Sequence, residues 1–121
     1  MEAKEIIEYL RNKEFTVKTD GQYLDLAPAA KVTSELIERL RKHKPAIIAE
    51  LKREERREKV LQMLEERPEI QRAFVADTET DPGNVILSMA IRNAGTFELL
   101  IPKHKYDPFA VLEIIQKAAI Q

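Results

Sequence analysis

Phe15-Thr16-Val17-Lys18-Thr19-Asp20-Gly21-Gln22-Tyr23-Leu24-Asp25-Leu26 is the stretch on which the fold turns. Two runs alternate apolar and polar residues, the period of a half-buried strand, and the Asp20-Gly21 between them suits the positive φ angles of a tight hairpin turn. A two-residue loop sets Thr19 opposite Gln22, Val17 opposite Leu24, Phe15 opposite Leu26, Lys18 opposite Tyr23 and Thr16 opposite Asp25. All four apolar side chains then share one face. The other face carries Thr16, Lys18, Tyr23 and Asp25, a mixture of charges with one aromatic.

Upstream of the hairpin, Ala3, Ile6, Ile7 and Leu10 recur at helical spacing and predict an amphipathic helix over 2–13. Downstream, Pro28 stops the strand, and Thr33 or Ser34 can cap a second helix with Leu36, Ile37 and Leu40 inward. Pro45 fits the first turn of a third helix whose inward residues are Ile47, Ile48 and Leu51. From Lys52 to Lys59 every residue is charged and no apolar stripe exists, yet all are good helix formers and Glu55 with Lys59 is a favourable i,i+4 pair. That pattern predicts a solvated helical connector. Periodicity resumes at Val60, Leu61 and Leu64 and ends before Pro68, so 45–66 reads as one helix, or as two with a bend in the charged stretch.

The remaining sequence predicts strands at 72–77, 85–92 and 96–101, with a polar loop at Asp81-Pro82-Gly83-Asn84. A three-residue loop at Asn93-Ala94-Gly95 pairs Ile91 with Phe97, Met89 with Leu99 and Leu87 with Ile101. Asp107-Pro108 opens a closing helix over 108–120, with Phe109, Leu112, Ile115 and Ala119 on one stripe. The fold expected is α+β in two small modules: an αββαα unit over 1–52 and an α-βββ-α unit with an antiparallel meander over 53–121, its first helix at 53–66.

Residues 6–52 resemble the TubC-type N-terminal docking domain of hybrid polyketide and nonribosomal-peptide assembly lines. The features that carry the resemblance are Ile7 and Leu10, the Phe15–Leu26 hairpin with Gly21 at its tip, Leu26-Ala27-Pro28, and Thr33-Ser34-Glu35-Leu36. They continue through Leu40, His43-Lys44 and Ile47-Ile48 to Leu51. The resemblance implies an αββαα homodimer that holds a short C-terminal peptide of a partner protein against its exposed hairpin. In that family a large condensation or cyclisation domain normally follows, whereas here a small α/β module follows. Related units also occur on small stand-alone proteins, and the residues of the C-terminal module do not name a family.

Composition narrows the function classes. The chain has 121 residues, 20 Lys plus Arg against 21 Asp plus Glu, and a net charge of -1, so no whole-chain field draws it to nucleic acid or an anionic membrane. Without cysteine there is no disulfide, thiolate nucleophile or cysteine-based zinc site. Met1-Glu2-Ala3-Lys4-Glu5 alternates charge where a signal peptide carries an apolar run, and no apolar stretch approaches the roughly 20 residues of a membrane span. A cytoplasmic protein is expected.

Candidate sites are few. The outward hairpin face, Thr16, Lys18, Tyr23 and Asp25, can bind a partner if one strand is an open edge that accepts an added strand. Arg39, Arg41, Lys42 and Lys44, with His43 among them, form the one dense basic cluster, an anion or nucleic-acid patch or simply the basic end of a helix. Asp77-x-Glu79-x-Asp81 with Gly83 approximates the start of a calcium loop, but the glycine is one place late and Ser88 stands where the bidentate glutamate belongs, which favours a polar turn. No nucleophile elbow, phosphate loop or paired-histidine motif occurs, so no catalytic residue, metal or cofactor is expected. The expectation is a non-catalytic adaptor, binding itself or a partner peptide by strand addition at the hairpin. The alternative is a nucleic-acid-associated accessory protein using residues 39–44. Modules of about 50–60 residues are marginally stable by burial alone, which points to a homodimer.

Overall fold

A computed structural model describes residues 2–110 and 112. The chain is α+β and divides into two compact units, 1–54 and 55–121.

The first unit opens with α1, Ala3–Asn12, which buries Ile6, Ile7 and Leu10 along the stripe that their spacing predicts. The chain leaves α1 through Glu14 in the left-handed region, φ 67, and the Phe15 N–H returns to the Leu10 carbonyl at 3.0 Å. Strands β1, Thr16–Thr19, and β2, Leu24–Ala27, pair antiparallel as a two-stranded sheet. Thr33 then caps α2, Ser34–Glu66, its Oγ1 accepting the Leu36 N–H at 3.2 Å. Ile6, Ile7, Leu10 and Val17 meet Leu40, Ile47 and Leu51 of α2 in one core, with Phe15, Leu24, Leu26 and Leu36 packed against it. Burying such side chains is worth roughly 1.5–3 kcal/mol each before the entropy of ordering them.

Three expectations are corrected in this unit. The hairpin register is Thr19 with Leu24, Lys18 with Asp25, Val17 with Leu26 and Thr16 with Ala27, so the loop has four residues and not two. Side chains close it: the Asp20 carboxylate accepts the N–H groups of Gln22 and Tyr23 at 2.8 and 2.9 Å, while Thr19 Oγ1 accepts the Gly21 N–H at 3.0 Å and donates to the Tyr23 carbonyl at 2.7 Å. Gly21 still takes a positive φ of 105°. The shift is two residues, an even number, so Val17, Leu24 and Leu26 keep the core face.

The second correction is Pro45, which lies inside α2 and opens no separate helix. A proline there costs one hydrogen bond. Leu40, Ile47 and Leu51, seven and four residues apart, lie on one face of this helix and reach the same core on both sides of Pro45. The third is Ile37, which is exposed on the outer side of that helix.

The second unit holds residues 55–66 of α2 and the strands β3, Arg72–Asp77, β4, Asn84–Ile91, and β5, Gly95–Pro102. They form an antiparallel meander in the order β3-β4-β5. Central β4 is buried from Val85 to Ala90, so both its faces are covered. One face carries Ala73 and Ala90 against Val60 and Leu64 of α2; the other carries Leu87 and Met89 with Phe74, Ile101 and Tyr106. The β4–β5 register is Ile91 with Gly95, Met89 with Phe97, Leu87 with Leu99 and Val85 with Ile101, two residues from the expected pairing. The turn falls one residue earlier because Asn93 takes the left-handed position, φ 66, and the Ala94 N–H closes on the Ile91 carbonyl at 2.9 Å. The expected helix at 108–120 is helical at 108–110 and 112; the rest of it lies outside the described residues.

Candidate functional site

Hairpin geometry follows from its loop. Because four residues close the turn, Lys18 and Asp25 stand directly opposite each other on the exposed face, and Thr16 stands opposite Ala27. Tyr23 lies in the loop, off the strands, with Lys44 Nζ 5.1 Å from its ring centroid. Among the described residues neither strand has a second hydrogen-bonded neighbour, and neither Lys18 nor Asp25 is in an ion pair. The outer edges of β1 and β2 are therefore open ladders, and the cross-strand charges beside them are not used within the unit. The Asp20 carboxyl at the tip is held below its ordinary value by the Tyr23 and Gln22 N–H groups that fix the loop.

The basic cluster is divided by the helix that carries it. Arg39 and Lys42 line a groove of about 700 Å3 with Lys13 and Lys31, over a floor that includes Phe15 and Leu36. Lys44 is turned to Tyr23, and Arg41 is exposed outside this lining. Glu35 and Glu38 also line the groove, so its field is mixed and not uniformly positive. Lys13 lies 5.9 Å over the Tyr9 ring, and Lys31 is 3.9 Å from Glu14.

The charged run contains a residue that its pattern hides. Arg56 is buried, where a solvated connector was expected. Its Nε and Nη2 donate to Glu98 at 2.8 and 3.2 Å, and its Nη1 donates to Asp77 at 3.1 Å. Ser88, fully buried on β4 between these two carboxylates, donates its hydroxyl to Glu98. All three partners project from the α2 side of the sheet, as the pairs Ser88–Glu98 and Val75–Ser88 require. Burial acts to raise the Asp77 pKa, but hydrogen bonds from Thr80, Glu79 and Arg56 outweigh it and hold the carboxyl at about 2. For Arg56 burial acts downward, and the bonds to Glu98 and Asp77 outweigh it and raise its pKa.

This network ties α2 to both outer strands of the sheet. Every carboxylate in it is engaged, and the Asp77 and Asp81 side chains accept the N–H groups of residues 79–80 and 83–84, which makes their motif a pair of polar turns. Among the described residues no group of three metal-ligating side chains converges, and no helix is long and apolar enough to cross a membrane. Family models, curated proteins and solved structures offer no match to this chain.

Proposed function

We propose that the chain is a non-catalytic interaction protein whose N-terminal unit binds itself, as a homodimer, or a partner peptide by strand addition at the β1–β2 hairpin. The observation that carries this reading is a two-stranded sheet with open edges and an unused Lys18–Asp25 pair on its exposed face. Main-chain hydrogen bonds along an edge supply affinity, and a ladder of outward side chains selects the charge pattern of the added strand. A strand added beside β1 meets Lys18 and favours an acidic residue there, and one added beside β2 meets Asp25 and favours a basic one. The nucleic-acid reading has less support, because Arg39 and Lys42 share their groove with Glu35 and Glu38, and Lys44 is engaged with Tyr23.

The test is light scattering across salt and protein concentration, followed by the single charge reversals Lys18→Glu and Asp25→Lys, because inverting both charges in both copies of a symmetric dimer would preserve their attraction. A dimer that the wild type forms and either single variant weakens, with an unchanged circular dichroism melt, supports the reading for self-association. If the wild type is monomeric, the same proteins are compared for capture of peptides from a random library. Equal association and equal capture by all of them would sink the hairpin site.

A further inference from the structure

The groove on the first unit is distinct from the hairpin edge. It runs along one face of the first turns of α2, where Glu35, Glu38, Arg39 and Lys42 recur at helical spacing. A smaller cavity of about 280 Å3 adjoins it, sharing Tyr9, Leu36, Arg39 and Lys42 with the larger space. Its floor is apolar, made by Ile6, Leu10 and Leu40. The pairing is specific in kind: room for one large apolar side chain, directly beside two exposed cations that have no ion-pair partner among the described residues.

We infer that this groove is a second binding site, and that it takes an acidic peptide segment carrying a large apolar side chain. The apolar side chain fills the smaller cavity beside Leu36 and Tyr9, and flanking carboxylates pair with Arg39 and Lys42, then with Lys13 further along the groove. With Lys31 already beside Glu14, Lys13, Arg39 and Lys42 stand against Glu35 and Glu38, a small excess of positive charge, and Arg39 supplies a fork that fits a carboxylate through two parallel hydrogen bonds. Glu35 and Glu38 oppose an evenly charged phosphate backbone along its whole length, whereas a peptide can set its few carboxylates beside Arg39 and Lys42 and offer main-chain N–H groups to the two glutamates. The small cavity likewise suits a side chain better than a long alkyl tail, which needs a continuous apolar channel.

A bead-displayed library of random dodecapeptides, screened with the full-length chain at near-physiological salt, tests the inference. The selected sequences are expected to be enriched in Asp and Glu around a Leu, Ile, Phe or Met. Fluorescence polarisation of a selected peptide should show a loss of affinity of about tenfold or more in Arg39→Glu, Lys42→Glu, where charge-assisted pairs become repulsive. Replacing the apolar residue of the peptide by Ser should weaken binding as well. The hairpin variants Lys18→Glu and Asp25→Lys should bind the same peptide unchanged, so that the two sites succeed or fail separately. Charge reversal at residues 39 and 42 makes their i,i+4 pairings with Glu35 and Glu38 repulsive and lowers the melt slightly, so the exposed neutral variant Arg39→Gln, Lys42→Gln, expected to keep the wild-type melt, must show a loss of affinity in the same direction. No acidic bias in the selected peptides, unchanged affinity in Arg39→Glu, Lys42→Glu, or loss confined to the hairpin variants would each overturn the proposal. So would binding of dodecanoate or short duplex DNA that depends on residues 39 and 42 while acidic peptides do not bind.

Discussion

Arg56 and Glu98 meet in a bidentate pair, Nε to Oε2 at 2.8 Å and Nη2 to Oε1 at 3.2 Å, between α2 and the last strand of the C-terminal sheet. Arg56 is the buried member and Asp77 completes its coordination from the first strand, so one guanidinium ties the helix to both edges of the meander. Removing it leaves two carboxylates facing each other under the helix. Arg56→Ala is expected to cost about 2–3 kcal/mol, since Asp77 keeps its bonds from Glu79 and Thr80 and Glu98 its bond from Ser88 but both lose a charge-assisted partner. Arg56→Lys should recover only part of this, since an ammonium cannot reproduce the fork. Urea unfolding checks both; equal stability of all three proteins would show that the pairs contribute nothing.

A second arginine does comparable work at the end of the same helix. Arg92 donates to the carbonyls of Leu64, Arg67 and Ile70 at 2.8 to 3.2 Å, satisfying groups that a helix end and the following turn otherwise leave to solvent. Arg92→Ala is expected to destabilise by about 2 kcal/mol, with Arg92→Lys in between. Amide exchange should accelerate first around residues 64–70. Uniform acceleration over the whole unit, with no local excess, would mean that Arg92 does not hold this end.

The strands, their faces and α1 were legible because period-2 and period-3.6 patterns are written in side-chain polarity alone. Hairpin registers were not, and both missed by two residues for one reason: side-chain and backbone turns at Asp20 and Asn93 moved the loop while leaving the apolar faces unchanged. The continuity of α2 was present in the spacing of Leu40, Ile47 and Leu51, but Pro45 outweighed it as a boundary signal. Arg56 could not be separated from its seven charged neighbours, since the partners that engage it are two carboxylates from distant strands. Of the candidate residues, Lys18 and Asp25 come together on the hairpin. Tyr23 goes instead to Lys44, and Arg39 with Lys42 joins a groove that also draws on Lys13 and Lys31.

Acid sensitivity follows from Asp77. Its folded pKa of about 2 lies below the ordinary carboxylate value, so the folded state favours the ionised form. A depressed carboxyl contributes stability above its unfolded pKa, and that stability is lost as pH falls from about 4 to about 2. The linked contribution is about 2 kcal/mol at neutral pH. Asp77→Asn should be less stable than wild type near pH 7, with the difference shrinking as pH falls through that window. A constant difference between pH 7 and pH 2.5, measured by urea unfolding, would show that the Asp77 charge is not the source.

Pro45 supplies the test of the helix itself. It sits in the interior of a 33-residue helix, is exposed, and lacks the N–H that would bond the carbonyl four residues earlier. Nothing in the core depends on its ring, since the buried residues on either side are Leu40 and Ile47. An interior proline is about 3 kcal/mol less favourable than alanine, and the greater freedom of an unfolded alanine chain returns about 1 kcal/mol of that difference. Pro45→Ala is therefore expected to stabilise the protein by roughly 1–2 kcal/mol and to raise its helical ellipticity. A proline at the first position of a separate helix would behave in the opposite way, because there its missing N–H costs nothing and its fixed φ helps. A loss of stability in Pro45→Ala would mean that the chain breaks at Pro45 and that α2 is two helices.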